Sequence, residues 1–146
     1  VLGGGFGLAQ ACQIIVSSEK SRFAMPETAI GFFPDVGATH FLSRLDDIGV
    51  YMAVTGEQIS SSDALHLDLI DYLVPSEHLE QLQIELAQAT QLTQQSIEQT
   101  IARYLKEPAP SELKQYEDAI RQHFSHAELA QIEDSLANTL DSDYMD

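Results

Sequence analysis

Hydrophobic and polar positions divide the chain near residue 76. Beyond it, apolar residues recur at steps of three and four in a background rich in Gln and Glu, the spacing of one helix face. Leu79, Leu82 and Leu86 form one stripe, with Glu77 and Glu80 favourably placed in a first turn, and Ile97, Ile101, Tyr104 and Leu105 form the next. Pro108-Ala109-Pro110 interrupts the pattern as a stiff linker. Ser111 restarts a helix through Leu113, Tyr116 and Ile120, and Ser125 with Glu128 has the spacing of a capping box ahead of Leu129, Ile132, Leu136 and Leu140. The expectation for residues 77–146 is a region of amphipathic helices.

Residues 1–76 read differently, as short apolar runs broken by Gly, Pro and Ser. Leu8, Ala9, Cys12 and Gln13 predict a helix leaving the glycine-rich start, and Ile14-Ile15-Val16 a short buried strand ending at Ser17-Ser18-Glu19. Phe23-Ala24-Met25 predicts a second extended piece. Pro26 and Pro34 each bias the residue before them towards extended geometry, so an ordered loop, not a helix, is expected between them. Asp35 suits the N-cap of a helix through Thr39, Phe41 and Leu45. Residues 50–54 predict another helix, ended by Gly56. Ser61, Ser62 and Asp63 offer N-caps for a short helix bearing Ala64, Leu65 and Leu67, and Tyr72-Leu73-Val74 reads as a strand closed by Pro75. The fold class is α/β, with no internal repeat.

Composition narrows the functions. With 146 residues, 44% of them hydrophobic, the chain can bury a sizeable core. It opens at Val1 on an apolar pair and a glycine triplet, as if inside a strand-to-helix connection, which predicts a piece of a longer protein. Seven basic against 23 acidic side chains, a net charge of -16, oppose general binding to nucleic acid or acidic membranes. No run of about 18 apolar residues suggests a membrane span. The single cysteine, Cys12, leaves no disulfide framework and fits a reducing compartment.

The unusual chemistry is confined to the first half. Gly3-Gly4-Gly5 before Phe6-Gly7-Leu8 lets backbone amides approach a ligand at a helix N-terminus, an anion or oxyanion site, although such turns also serve close packing. The Lys and Ser/Thr of a phosphate-binding loop are missing, and the glycines do not make a dinucleotide fingerprint. Glu27 sits among Phe23, Ala24, Met25, Ala29, Ile30, Phe32 and Phe33, where poor hydration would make a carboxylate a better proton acceptor. The plainer reading is a loop carboxylate capping nearby amides. Asp35 has the same alternatives, with capping the more commonplace.

Taken together, Val-Leu-Gly-Gly-Gly-Phe-Gly-Leu-Ala and, at matching spacing, Phe-Ala-Met-Pro-Glu-Thr-Ala-Ile-Gly-Phe-Phe-Pro-Asp-Val-Gly resemble the acyl-CoA site of the enoyl-CoA hydratase/isomerase (crotonase) superfamily. Val54-Thr55-Gly56-Glu57-Gln58-Ile59-Ser60 with Asp63-Ala64 resembles that family's later Thr-Gly segment. The likeness is strong over residues 1–78 and looser to about 140, where residues 105–136 resemble the helical region of the 3-hydroxyisobutyryl-CoA hydrolase branch. It implies a partial crotonase-like ββα spiral, the downstream half of an acyl-CoA core over 1–76, followed by C-terminal amphipathic helices over 77–146 that cover the site or pack on a second copy in a homo-oligomer.

The resemblance makes Gly4 a backbone N–H donor to the thioester oxygen, within a substrate-binding set of Gly3, Gly4, Gly7, Glu27 and Asp35. It places the second oxyanion donor and most coenzyme A contacts before Val1, so these residues alone are expected to be nearly inactive, since one lost donor costs about a hundred- to thousandfold in rate. Hydratases of the family place one glutamate where this sequence has Gly7 and another where it has Glu27. Only the second is here, which argues against hydration and leaves Glu27 and Asp35 as the working pair of a hydrolase. The resemblance then implies hydrolysis of a 3-hydroxyacyl-CoA, 3-hydroxyisobutyryl-CoA above all, as in valine degradation. The coenzyme A thioester is substrate, and no further cofactor is called for. The compartment implied is the cytoplasm for a bacterial protein or the mitochondrial matrix for a eukaryotic one. An enoyl-CoA isomerase or hydratase, and a non-catalytic protein retaining the acyl-CoA fold, remain as alternatives. His40, His66, His78, His123 and His126 lack metal-ligand spacing and read as surface or helix-edge residues, so no metal is expected.

Overall fold

The computed structural model describes residues 1–139. Helix α1 (Gly4–Gln10) leads to β1 (Val16–Ser17) and β2 (Arg22–Phe23), a 3₁₀ turn at Pro26–Ile30, then α2 (Ala38–Leu42) and α3 (Asp46–Thr55). Strand β3 (Ile59–Ser60), α4 (Ser61–His66) and β4 (Tyr72–Leu73) complete the mixed half. Helices α5 (Leu79–Gln88), α6 (Gln94–Ala102), α7 (Leu113–Phe124) and α8 (Leu129–Ala137) follow. These elements give the expected mixed α/β class followed by helices.

The strands are short and join distant parts of the chain. β1 runs parallel to β4, Val16 opposite Tyr72, and β2 runs antiparallel to β3, Phe23 opposite Ile59. A single parallel bridge, Leu2 to Ala24, lays the start of α1 beside the end of β2. The first strand lies later than its sequence predicts. Ile14 and Ile15 lead into it, with the Ile15 amide held by the Asp71 carboxylate and the Ile15 carbonyl taking the Asp71 and Tyr72 amides. Cys12 also falls outside its expected helix, exposed beyond the end of α1.

Several local expectations change because tertiary contacts outweigh the nearest cap. Between Pro26 and Pro34 the chain winds a 3₁₀ turn with Pro26 at its start, where the missing N–H costs nothing, and Gly31 stops it. Asp35 does not cap α2 with its side chain. Gly37 is the N-cap, and Asp35 instead offers its backbone carbonyl to Ala38 N–H at 2.8 Å. The single helix expected through Leu45 breaks into α2 and a 3₁₀ turn at Ser43–Leu45, and α3 begins earlier than predicted, at Asp46. Gly56 ends α3 in the left-handed conformation, as expected. Ser60, one residue before the predicted caps, opens α4 in a capping box with Asp63, and the box before α8 is Glu128 with Gln131, not Ser125 with Glu128. Leu140 lies outside the described residues.

Two clusters of buried side chains hold these pieces together, and both draw on residues before and after position 76. The larger packs Phe6, Phe23, Met25, Phe41, Ile48, Met52 and Ile59 with Leu113, Ile120 and Phe124 of α7 and Ile132 of α8. Phe6 is its aromatic centre, with ring centroids 5.2 Å from Phe23 and 5.0 Å from Phe41. The smaller joins Val74 to Leu82 of α5 and Ile101 of α6, with Leu79, Leu86, Ile97 and Tyr104 at its margin. The stripes of α5 and α6 are thus buried much as their spacing predicts, but Leu105 lies past the end of α6 and is exposed. His123 also departs from its surface reading: it is buried, its Nδ1 within 2.8 Å of Ser135 Oγ between α7 and α8.

Candidate active site

The site begins with the bridge between Leu2 and Ala24. Gly3 N–H donates to Ala24 O at 3.0 Å, so the first turn of α1 lies against the segment leading to Pro26. Three residues past Ala24, Glu27 falls over Gly3. A methyl group on Gly3 would lie 2.6 Å from Glu27 Oε1, and Gly3 itself has φ 51° and ψ -125°, a conformation that favours glycine. Both the backbone and the carboxylate therefore select glycine at this position.

In that opening turn the amides of Gly3, Gly5, Phe6 and Gly7 donate to Ala24 O, Leu2 O and, twice, Gly3 O. The Gly4 amide has no acceptor among the described residues, as expected of a donor at a helix start. Over the neighbouring Gly3, Glu27 Oε2 is buried and has no hydrogen-bond partner among the described residues. A buried carboxylate oxygen left unpaired is costly and rare, and such groups cluster where chemistry needs them. The opening turn of α1 thus carries an unused donor at Gly4 and, over the preceding residue Gly3, a carboxylate with an unused acceptor. The turn bearing Glu27 is supported from behind by the end of α3: a methyl on Gly56 would come 3.1 Å from Pro26 Cα and 3.3 Å from Thr28 Oγ1.

Beyond Gly31 the chain forms an exposed apolar rim. Ile30, Phe32, Phe33 and Val36 are all well exposed, and the Phe32 and Phe33 rings stack at 4.4 Å. Asp35 is exposed on this rim. The chain then turns sharply over Asp35, Val36, Gly37 and Ala38, with φ 45° at Val36 and φ 85° at Gly37. Positive φ at both central residues, closed by the bond from Ala38 N–H to Asp35 O, matches a type I′ turn, which favours Asn-Gly. Valine, β-branched, is a poor choice there and stores strain of about 1–3 kcal/mol. Its side chain lies on α1: a methyl on Gly7 would sit 2.5 Å from Val36 Cγ2, and one on Gly4 would sit 4.0 Å from Cγ1.

Glu27, Gly3, Gly4 and Gly7, singled out in the sequence, are therefore gathered around the first turn of α1, with Asp35 carried next to them on the rim. Val36 gave no signal of its own. Only its left-handed backbone marks it, and a sequence does not display that. A crevice of about 1110 Å³ lies elsewhere, between β3, α4 and the linker at 106–112. Its buried acid, Asp63, has both carboxylate oxygens hydrogen-bonded, so that crevice offers no poised group comparable with Glu27. Among the described residues no group of His, Cys, Asp and Glu is placed to hold a metal ion, and no helix is long and apolar enough to cross a membrane.

Residues 1–145 match the family model for enoyl-CoA hydratase/isomerase, and the chain belongs to that family. Among curated relatives, the mitochondrial 3-hydroxyisobutyryl-CoA hydrolase of Xenopus laevis is 36% identical over 141 residues, 92% of this chain and 37% of the relative. A probable 3-hydroxyisobutyryl-CoA hydrolase 2 of Arabidopsis thaliana is 36% identical over 135 residues, 90% of this chain and 36% of the relative. The chain thus spans little more than a third of these relatives. In fold it is similar to a carnitinyl-CoA dehydratase from Mycobacterium thermoresistibile, with TM-score 0.83, 29% identity, and coverage of 94% of this chain and 39% of that one. It is also similar to an enoyl-CoA hydratase from Rhodobacter sphaeroides, with TM-score 0.78, 31% identity, and coverage of 94% and 38%.

Proposed function

We propose that the complete protein is an acyl-CoA thioester hydrolase acting on a 3-hydroxyacyl-CoA, with 3-hydroxyisobutyryl-CoA the first candidate. The observation that carries this reading is the buried Glu27 Oε2, unpaired among the described residues, on a carboxylate lying over Gly3 at the turn where the Gly4 amide is unused. A thioester carbonyl lying on Gly4 would have its oxygen polarised by that N–H as negative charge develops, with the N-terminus of α1 favouring the same charge. Glu27 then either attacks the carbonyl carbon, giving an anhydride that water opens, or takes a proton from a water that attacks directly. Either route breaks the carbon–sulfur bond, releases the acid and returns a proton to the coenzyme A thiolate. Asp35, on the adjoining rim, orients the 3-hydroxyl or assists thiolate departure. The names of the curated relatives support the same substrate class.

Hydratase and isomerase chemistry is the second reading, favoured by the names of the similar solved structures. Against hydration, Val36 covers the position where a second carboxylate would have to stand on Gly7. The two readings separate in one assay. The complete protein is given a 3-hydroxyacyl-CoA and, separately, a 3-enoyl-CoA, while free thiol and double-bond position are followed. Thiol release from the first is expected. A double-bond shift or hydration without thiol release would replace the hydrolase reading.

A further inference from the structure

We infer that Val36 is a positioning residue: its side chain seats in the space that Gly7 leaves open on α1, and this seat holds Asp35 in place for discriminating a 3-hydroxylated acyl group. The inference deepens the hydrolase reading above and rests on it.

The loop that carries Asp35 has little else to hold it. Among the described residues, the backbone hydrogen bonds of the loop are all local: Gly31 N–H to Thr28 O, Phe32 N–H to Glu27 O, Ala38 N–H to Asp35 O and His40 N–H to Gly37 O. Nor, among the described residues, does a side-chain hydrogen bond or ion pair anchor residues 31–37 to another element. Phe32, Phe33, Asp35 and Gly37 face solvent, and a methyl on Gly31 or Gly37 would touch nothing within 4 Å. Val36, half exposed, is where this turn grips the body, its Cβ, Cγ2 and carbonyl oxygen all packed over Gly7.

The choice of valine makes sense only for its side chain. Its φ of 45° is one that Asn or Gly adopts with less strain, so the backbone alone would select against it. Gly7 is the complementary half of the device. α1 would tolerate any good helix former there, yet a single added methyl would lie 2.8 Å from Val36 Cβ and 2.5 Å from Cγ2 and would push the turn away. Asp35, the residue before Val36, supplies the carbonyl that closes the turn, so displacing Val36 displaces Asp35 with it.

The test uses the complete protein and two substrates, a 3-hydroxyacyl-CoA and the same acyl-CoA without the hydroxyl, with Asp35→Ala as reference. Gly7→Ala is expected to lower thiol release from the hydroxylated substrate about a hundredfold, the scale of a displacement near 1 Å, and to lower the other much less, so that the preference collapses as it does in Asp35→Ala. Val36→Asn suits the backbone better and should raise the thermal midpoint while still losing preference, a combination that a purely structural role would not produce. Val36→Gly removes the side chain but leaves the Val36 carbonyl oxygen within clashing distance of a methyl on Gly7, so it should lose preference on its own and lose more when Gly7→Ala is added. Equal losses on both substrates, or unchanged preference in Val36→Asn or Val36→Gly, would overturn the seat. Wild-type protein that releases no thiol at all overturns the hydrolase reading, and this role with it; active wild type with an indifferent Gly7→Ala overturns the seat alone.

Discussion

Two carboxylates in this chain stand at the starts of helices, and their surroundings are opposite. Asp63, between α4 and α7, is only 5% exposed and has both oxygens occupied. Oδ2 accepts from Ser60 N–H at 2.9 Å and Ser60 Oγ at 2.6 Å, while Oδ1 accepts from Ser111 Oγ at 2.7 Å and Leu113 N–H at 3.0 Å. One side chain thus completes the capping box of α4 and ties down the first turn of α7, with His66 adding a contact to Glu117 at 2.6 Å on the same pair of helices. Burial pushes the Asp63 carboxyl upward, but the bonds from Ser60, Leu113 and Ser111 outweigh it and leave the group below the usual aspartate range. Glu27, at the start of α1, has a buried oxygen with no donor. A fully bonded buried carboxylate is a fastening. An unbonded one is a cost that stability alone does not explain, and the proposed role of Glu27 with Gly4 would account for it.

That contrast can be broken by mutation. The largest effect is expected for Glu27→Gln in the complete protein: thiol release should fall by about a hundred- to ten-thousandfold, with acyl-CoA binding retained and the thermal midpoint unchanged or raised. Steady-state kinetics beside a binding titration would check it, and unaltered turnover would remove Glu27 from the chemistry. Asp63→Ala should do the reverse, lowering stability by about 2 kcal/mol through the loss of two helix-start fastenings, as measured by urea unfolding, while leaving the preference for hydroxylated substrates in place. The smallest effect is the pH dependence of that fastening. Because the folded-state value of Asp63 is depressed, its contribution is complete above the unfolded value of about 3.9 and is lost as pH falls through the lower folded value. Acid unfolding of wild type should therefore steepen below about pH 4, and Asp63→Asn should lack that component.

The sequence by itself determined the parts that depend on near neighbours. Helical stripes such as Leu79, Leu82 and Leu86 follow from a period set by backbone geometry, and the stop at Gly56 follows from the one residue type that takes a left-handed turn without strain. The glycines around Gly4 and the Pro26-Glu27 pair were legible as unusual residue types, and the structure brings Glu27 against Gly3. Tertiary structure decided what those residues face. Asp63 reads as one more helix cap until Leu113, 50 residues later, is brought to its other oxygen. Asp35 reads as a cap as well, but the turn over Val36 leaves its side chain exposed and uses its carbonyl instead. Whether a carboxylate finds donors, and whether a strained valine finds a glycine to rest on, depends on atoms from separate elements meeting within a few ångströms. Local pattern carries no information about that distance, and packing sets it.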